Sequence, residues 1–184
     1  MRSLLKTVAV SSCAVALGVA ASLGAQEQQA NPVSAALKST MESMQRNLAA
    51  SAEAMPADKY SFRPTPAQMS FGQLVLHVAG TNYFMCSTIA GSKAPQVAKL
   101  EATAAKETLV ARIKESFEYC STTLASADDS KLGEVVPYFG GRKISRGGAM
   151  LGLAEDWGDH YSAAATYQRL NGILPPTAKR GAGM

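Results

Sequence analysis

Apolar side chains recur at helical intervals in four separate stretches of this chain, and no stretch of clean alternation competes with them. A strand turns its side chains over every two residues, so a period near 3.6 commits these stretches to helix packed on helix. The first opens at Asn31-Pro32, with Asn suited to the N-cap and Pro to the first helical position, where its missing N–H costs nothing. Leu37, Met41, Met44, Leu48 and Met55 then form one apolar stripe. Methionines in such a stripe are core filler before they are ligands. Pro56 disfavours helical geometry at Met55 and should end the helix there.

Residues 56–69 hold three prolines and read as an ordered but irregular connection. Ser70-Phe71-Gly72-Gln73 matches a capping box, and a second helix follows to about Ala90 carrying Phe71, Leu74, Val75, Val78, Met85 and Ile89. His77 shares a half-face with Leu74, Thr81 and Phe84, which points it into or beside the core. Gly91 and Pro95 break the chain before a third helix, about Thr103 to Ala125, whose inward face is Leu109, Ile113, Phe117, Cys120 and Leu124. Between Asp128 and Ser145 the pattern lapses into Val135-Val136-Pro137-Tyr138-Phe139-Gly140-Gly141, an extended connection or a poor hairpin. Ser145 caps a fourth helix that ends at Asn171-Gly172, with Pro175-Pro176 blocking continuation. Its inward face is Leu153, Asp156, His160, Ala164 and Tyr167. The expected architecture is all-α, a four-helix bundle with long connections before helices 2 and 4.

The first 25 residues carry an export pattern: Arg2 and Lys6, then the apolar and small-residue stretch Thr7 to Leu23, then Leu23-Gly24-Ala25 ahead of Gln26-Glu27. Ser, Thr and Gly dilute that stretch below what a retained membrane span requires. The expected division is therefore a signal peptide over 1–25, the bundle over 26–176 and a flexible basic tail over 177–184, with the protein periplasmic or secreted. Roughly 160 residues then remain, the size of one domain with one core. Loss of Arg2 and Lys6 lowers the formal charge from +4 to +2. The residual positive charge is scattered or gathered at Lys179-Arg180, which is no nucleic-acid footprint. The mature chain would keep Cys86 and Cys120, an even pair that an oxidising compartment favours as a disulfide, with two buried thiols as the alternative.

His77 and His160 are the only histidines, and Asp156 lies one turn before His160 in Glu155-Asp156-Trp157-Gly158-Asp159-His160-Tyr161. That spacing puts a carboxylate and an imidazole on one helix face, with His77 available from another helix, as bundle metal sites require. A charged Asp on a core-facing stripe is costly unless paired, hydrogen-bonded or bound to a cation. Imidazole nitrogen and carboxylate oxygen suit zinc, nickel or ferrous iron in a three-ligand site with open positions. The competing expectation is a metal-free polar pair, with Asp156 satisfied by His160, Arg146 or Arg169. Ser162, two residues from His160, points to another face and makes no nucleophile pair with it. Cys86 and Cys120 lack the Cys-x-x-Cys spacing that poises a redox thiol. Trp157, Tyr161 and Tyr167 are core by default.

Several motifs together resemble the DinB-like superfamily of four-helix bundles. They are Tyr60-Ser61-Phe62-Arg63-Pro64-Thr65-Pro66, Ser70-Phe71-Gly72-Gln73-Leu74 leading to His77-Val78-Ala79, and His160-Tyr161 followed by Tyr167-Gln168-Arg169-Leu170-Asn171-Gly172-Ile173-Leu174-Pro175-Pro176. The resemblance spans essentially the whole mature chain. It implies a metal site built from one histidine on the second helix and a His-x-x-x-His pair on the fourth; His77 and His160 match the first and last of these, and Asp156 stands where the middle histidine is expected. Two histidines and a carboxylate are a familiar ligand triad. The resemblance further implies a metal-dependent hydrolase or transferase of unknown substrate. Because low-molecular-weight thiol cosubstrates are chiefly cytoplasmic, export argues against a thiol transferase. The alternative is a non-catalytic exported bundle that binds a small molecule or partner. The partners left open are an unidentified small molecule and a second copy of the chain.

Overall fold

The structure is a computed structural model and describes residues 30–181; the expected signal peptide lies outside the described residues. Four long helices, α1 (Pro32–Ala54), α2 (Phe71–Ala90), α3 (Lys106–Leu124) and α4 (Arg146–Leu170), form the bundle. A short α5 (Pro176–Gly181) follows, and a two-stranded antiparallel ribbon, β1 (Val135–Pro137) with β2 (Lys143–Ser145), lies between α3 and α4. Around the bundle the packed neighbours are α1 with α4, α4 with α2, α2 with α3 and α3 with α1. Helices α1 and α2 are thus diagonal to each other, as are α3 and α4. A diagonal step crosses the end of the bundle, which is why the connections before α2 and α4 are long.

The core between these helices contains Trp157, Phe71, Phe117, Met55, Met85, Ile89, Leu109, Ile113, Leu124, Met150 and Leu153, all fully buried. Each such side chain contributes about 1.5–3 kcal/mol relative to exposure. Cys86 and Cys120 are joined in a disulfide with Cα atoms 5.3 Å apart, tying α2 to α3.

Local signals hold at α2. Ser70 accepts from the Gln73 N–H at 3.2 Å, and Gln73 Oε1 accepts from the Ser70 N–H at 2.7 Å. Gly91 closes the helix in the left-handed conformation, φ 69°. The N-terminus of α1 departs from expectation. Asn31 is left-handed, with φ 59°, and its side chain does not cap the helix. Asp129 does so from a distant 3₁₀ turn, accepting from the N–H groups of Val33 and Ser34 at 2.9 Å and from the Ser34 hydroxyl at 2.6 Å. Asn31 Oδ1 instead receives the Asp129 N–H at 3.0 Å.

Two other segments are more ordered than the sequence pattern suggests. The tail expected to be flexible from residue 177 is helical as far as Gly181, held by Thr177, whose N–H and hydroxyl pair with the Tyr161 hydroxyl at 3.1 and 2.8 Å. Pro176 opens this short helix because proline is tolerated in a first turn. Of the two readings of the connection before α4 the structure shows the hairpin, with Val136 opposite Ile144, and both of its strands pack against α4. Glycine makes that approach feasible. A Cβ at Gly148 would stand 2.8 Å from Ile144 Cγ1, and one at Gly152 would stand 2.5 Å from the Tyr138 hydroxyl.

Candidate metal centre

Helix α4 carries Asp156 and His160 on successive turns, and α2 runs antiparallel beside it. The direction is fixed at both ends: the Tyr167 hydroxyl donates to the Met69 carbonyl at 2.9 Å, and the Arg146 guanidinium donates to the Ile89 carbonyl. The middle of α2 therefore faces the middle of α4. A buried relay holds the same level in register, with Trp157 Nε1 donating to Asn82 Oδ1 at 2.6 Å and Asn82 Nδ2 donating to Ser116 Oγ at 2.9 Å. This relay joins α4, α2 and α3 through the residue that follows Asp156 in the sequence.

On that scaffold His77 meets the α4 pair. The imidazoles of His77 and His160 stack with centroids 4.6 Å apart and planes 29° from parallel. One ligand atom from each of His77, Asp156 and His160 lies within 4.8 Å of the others. The burial is graded: His160 is buried, Asp156 intermediate and His77 exposed at the lip. His77 is thus beside the core, the less enclosed of the two expected positions.

His160 Nδ1 lies 2.7 Å from the Asp156 carbonyl oxygen and 3.6 Å from Asp156 Oδ1. An N–H at Nδ1 satisfies that carbonyl, which leaves the Nε2 lone pair free to face a cation. The carboxylate is less well provided for. Its Oδ2 is buried and has no hydrogen-bond partner. The arginines that could have relieved it do not: Arg146 is held by the Ile89 carbonyl and by Glu134 Oε2 at 2.6 Å, and no bond from Arg169 reaches Asp156 among the described residues.

Burial is the largest influence on both groups that titrate abnormally here. It lowers the His77 imidazole below 6.5, assisted by the like charge of His160 and opposed by Asp156. It raises the Asp156 carboxyl above 3.8, opposed by His160 and His77 and assisted by Asp159. Desolvation thus favours neutral His77, the ligating form, and penalises the Asp156 charge that a cation would stabilise. An ion about 2.1 Å from each ligand atom needs those atoms about 3–4 Å apart. The cluster comes within an ångström or so of that, and the donor set fits a divalent ion.

The sequence profile of the DinB superfamily matches residues 40–164, which includes all three clustered residues. The chain belongs to the DinB superfamily. Two solved structures share the fold of this DinB-superfamily chain. A DinB-like protein from Bacillus subtilis superposes with a TM-score of 0.63 at 20% identity, covering 76% of this chain and 96% of that one. A conserved protein from Enterococcus faecalis gives 0.61 at 16%, covering 75% and 96%. No curated protein matches the chain.

Within this DinB bundle, other side chains considered for chemistry have structural roles. Ser145 Oγ accepts the Gly148 N–H at 3.1 Å as the α4 cap, and Ser162 is exposed. The hydroxyls of Tyr161 and Tyr167 are held by Thr177 and Met69, and Trp157 by Asn82. Two packing residues escaped sequence reasoning. Asn82 is a polar residue in the apolar run of α2 and is fully buried; its legible signal is a lone amide on a core-facing stripe. Tyr138 reaches α4 only because of Gly152, and its signal is the run Gly147-Gly148-Ala149-Met150-Leu151-Gly152, helix-poor by about 1 kcal/mol per glycine.

Proposed function

We propose that this DinB-superfamily protein binds a divalent metal ion, zinc, nickel or ferrous iron, through His77, Asp156 and His160, and uses it for hydrolysis or group transfer on a small molecule. The observation that carries this reading is Asp156 Oδ2, a buried carboxylate oxygen with no partner, set among two imidazoles. A bound ion supplies Lewis acidity and lowers the pKa of a coordinated water. The chain contributes the rest. His160 is oriented by the carbonyl one turn behind it, Asp156 brings the negative charge, and exposed His77 leaves the approach open on its side. The export pattern and the Cys86–Cys120 bridge support function in an oxidising compartment, the periplasm or outside the cell. Among the described residues no helix is long and apolar enough to cross a membrane.

The test is metal analysis of the purified mature protein beside His77→Ala and His160→Ala. Stoichiometric metal in the wild type that is lost in both variants supports the proposal. A protein that takes up no added zinc, nickel or ferrous iron, and whose stability ignores chelators, is instead a non-catalytic bundle with an internally tolerated polar trio.

A further inference from the structure

We propose that the cleft between α2, the α2–α3 connection and α3 binds a small molecule with an apolar body and one carboxylate, to which the Arg112 guanidinium donates. The cleft holds about 300 Å³, the lower end of the range for ligand pockets. Its lining includes none of His77, Asp156 and His160, so the proposal does not rest on the metal reading. Leu76, Gly80 and Tyr83 reach it from one face of α2, Val97 and Leu100 from the connection, and Arg112 from α3. The connection, residues 91–105, contains no helix or strand. Structureless loops longer than about 12–15 residues are uncommon in compact domains unless they bind something or are disordered. This one is pinned in place. Arg112 Nη1 donates to the Ala98 carbonyl at 2.8 Å, and the Ala102 carbonyl comes so near α2 that a Cβ at Gly72 would stand 2.5 Å from it.

Gly80 is the observation that points to an occupant. A glycine inside a helix costs about 1 kcal/mol relative to alanine, and its neighbours usually show why it is there. Gly72 admits the Ala102 carbonyl, and Gly148 admits Ile144. Gly80 has no such reason: a Cβ there would meet nothing within 4 Å, its φ is not positive, and the residue is exposed. Val97, in the same lining, is left 43% exposed. An apolar body against Leu76, Val97 and Leu100 fills the space that Gly80 keeps open.

Arg112 supplies the polar anchor. Its Nη1 is committed to Ala98, and its Nε lies 3.5 Å from Glu115 Oε2, an ion pair beyond ordinary hydrogen-bond reach. The Glu115 side chain is 61% exposed, so solvent screens that pair. Nη2 makes no hydrogen bond among the described residues and remains for an incoming oxygen. A carboxylate takes it as a charge-assisted bond. Burial raises the Tyr83 phenol above 10, opposed by Arg112 and assisted by Glu115, so it stays a neutral O–H in the same lining. Lys99, the other cation there, is paired with Glu101 at 3.0 Å.

The experiment titrates the mature protein with octanoate and with 1-octanol by calorimetry, in chelator, so that no ion at the histidines can hold the carboxylate. Wild type should bind one octanoate, and octanol about ten-fold more weakly, the effect of one hydrogen bond to a charged acceptor. Arg112→Met should bring octanoate down to the level of octanol while octanol stays within about two-fold. Gly80→Leu should weaken both at least ten-fold by filling the cleft, and should melt no lower than wild type because leucine is the better helix former. No saturable octanoate binding to wild type, octanol binding equal to octanoate, or wild-type octanoate affinity in Gly80→Leu overturns the proposal. So does a Gly80→Leu protein that melts below wild type, which means the space is not open. An Arg112→Met protein that loses octanol as severely as octanoate overturns the role of the guanidinium, since the loss then comes from a loosened connection.

Discussion

Asp156→Asn separates stability from metal binding because it removes a charge while keeping volume and shape. In the metal-free protein the carboxyl group titrates above its ordinary 3.8, chiefly through burial. A raised acid is destabilised in its ionised form, and the penalty is present at pH 7 and relieved as pH falls through the folded-state value. The amide carries no such penalty. With one oxygen already unpartnered in the native protein, the metal-free variant should be as stable as wild type or more stable, by about 0–2 kcal/mol on the scale of an unsatisfied buried group. Metal reverses the order. Zinc at 100 times its dissociation constant adds about 2.7 kcal/mol to the wild type, or about 5–11 °C for a chain of this size. Altering groups that merely orient ligands weakens affinity about 10–100-fold, so loss of the only anionic ligand should reach at least the upper figure. The same zinc concentration then sits near the dissociation constant of the variant and adds about 0.4 kcal/mol, little more than 1 °C. Paired melts in chelator and in buffered zinc, with the disulfide kept oxidised, measure both terms. A metal-free variant more than about 1 kcal/mol less stable than wild type, with its zinc shift intact, would refute the argument.

The depressed His77 imidazole makes a pH prediction of definite sign: its contribution to metal-free stability is fully present above the unfolded value of 6.5 and is lost as pH falls toward the lower folded-state value. Denaturant midpoints across that window should fall more in wild type than in His77→Gln, and parallel curves count against the assignment. Asn82→Ala leaves the buried Trp157 N–H without its acceptor and Ser116 without its donor; urea unfolding should show a loss of about 3–5 kcal/mol, from two hydrogen bonds and an orphaned donor. Reduction of Cys86–Cys120, a separation of 34 residues, should cost about 4 kcal/mol by loop entropy, read from melts with and without reductant. A shift below about 1 kcal/mol would place the restraint elsewhere.

The helices were legible because their signals are short-range. The Ser70–Gln73 capping box spans four residues, and Gly91 and Pro56 act on their immediate neighbours. The cap of α1 was not legible, because Asp129 reaches Ser34 across 95 residues. The same division runs through the site. The spacing of Asp156 and His160 places them on one face of any helix, so their juxtaposition was contained in the sequence. Their meeting with His77 required α2 and α4 to be antiparallel neighbours in a particular register, a consequence of contacts such as Arg146 with Ile89 and Tyr167 with Met69. Competition for partners was decided there too. Nothing in the spacing says whether Arg146 turns to Asp156 or to the end of α2, and its choice of Ile89 and Glu134 is what leaves Asp156 Oδ2 alone. Periodicity and local caps act through backbone geometry that each segment carries by itself; the site depends on which distant polar groups remain unpaired after the helices pack, and only the tertiary structure determines that.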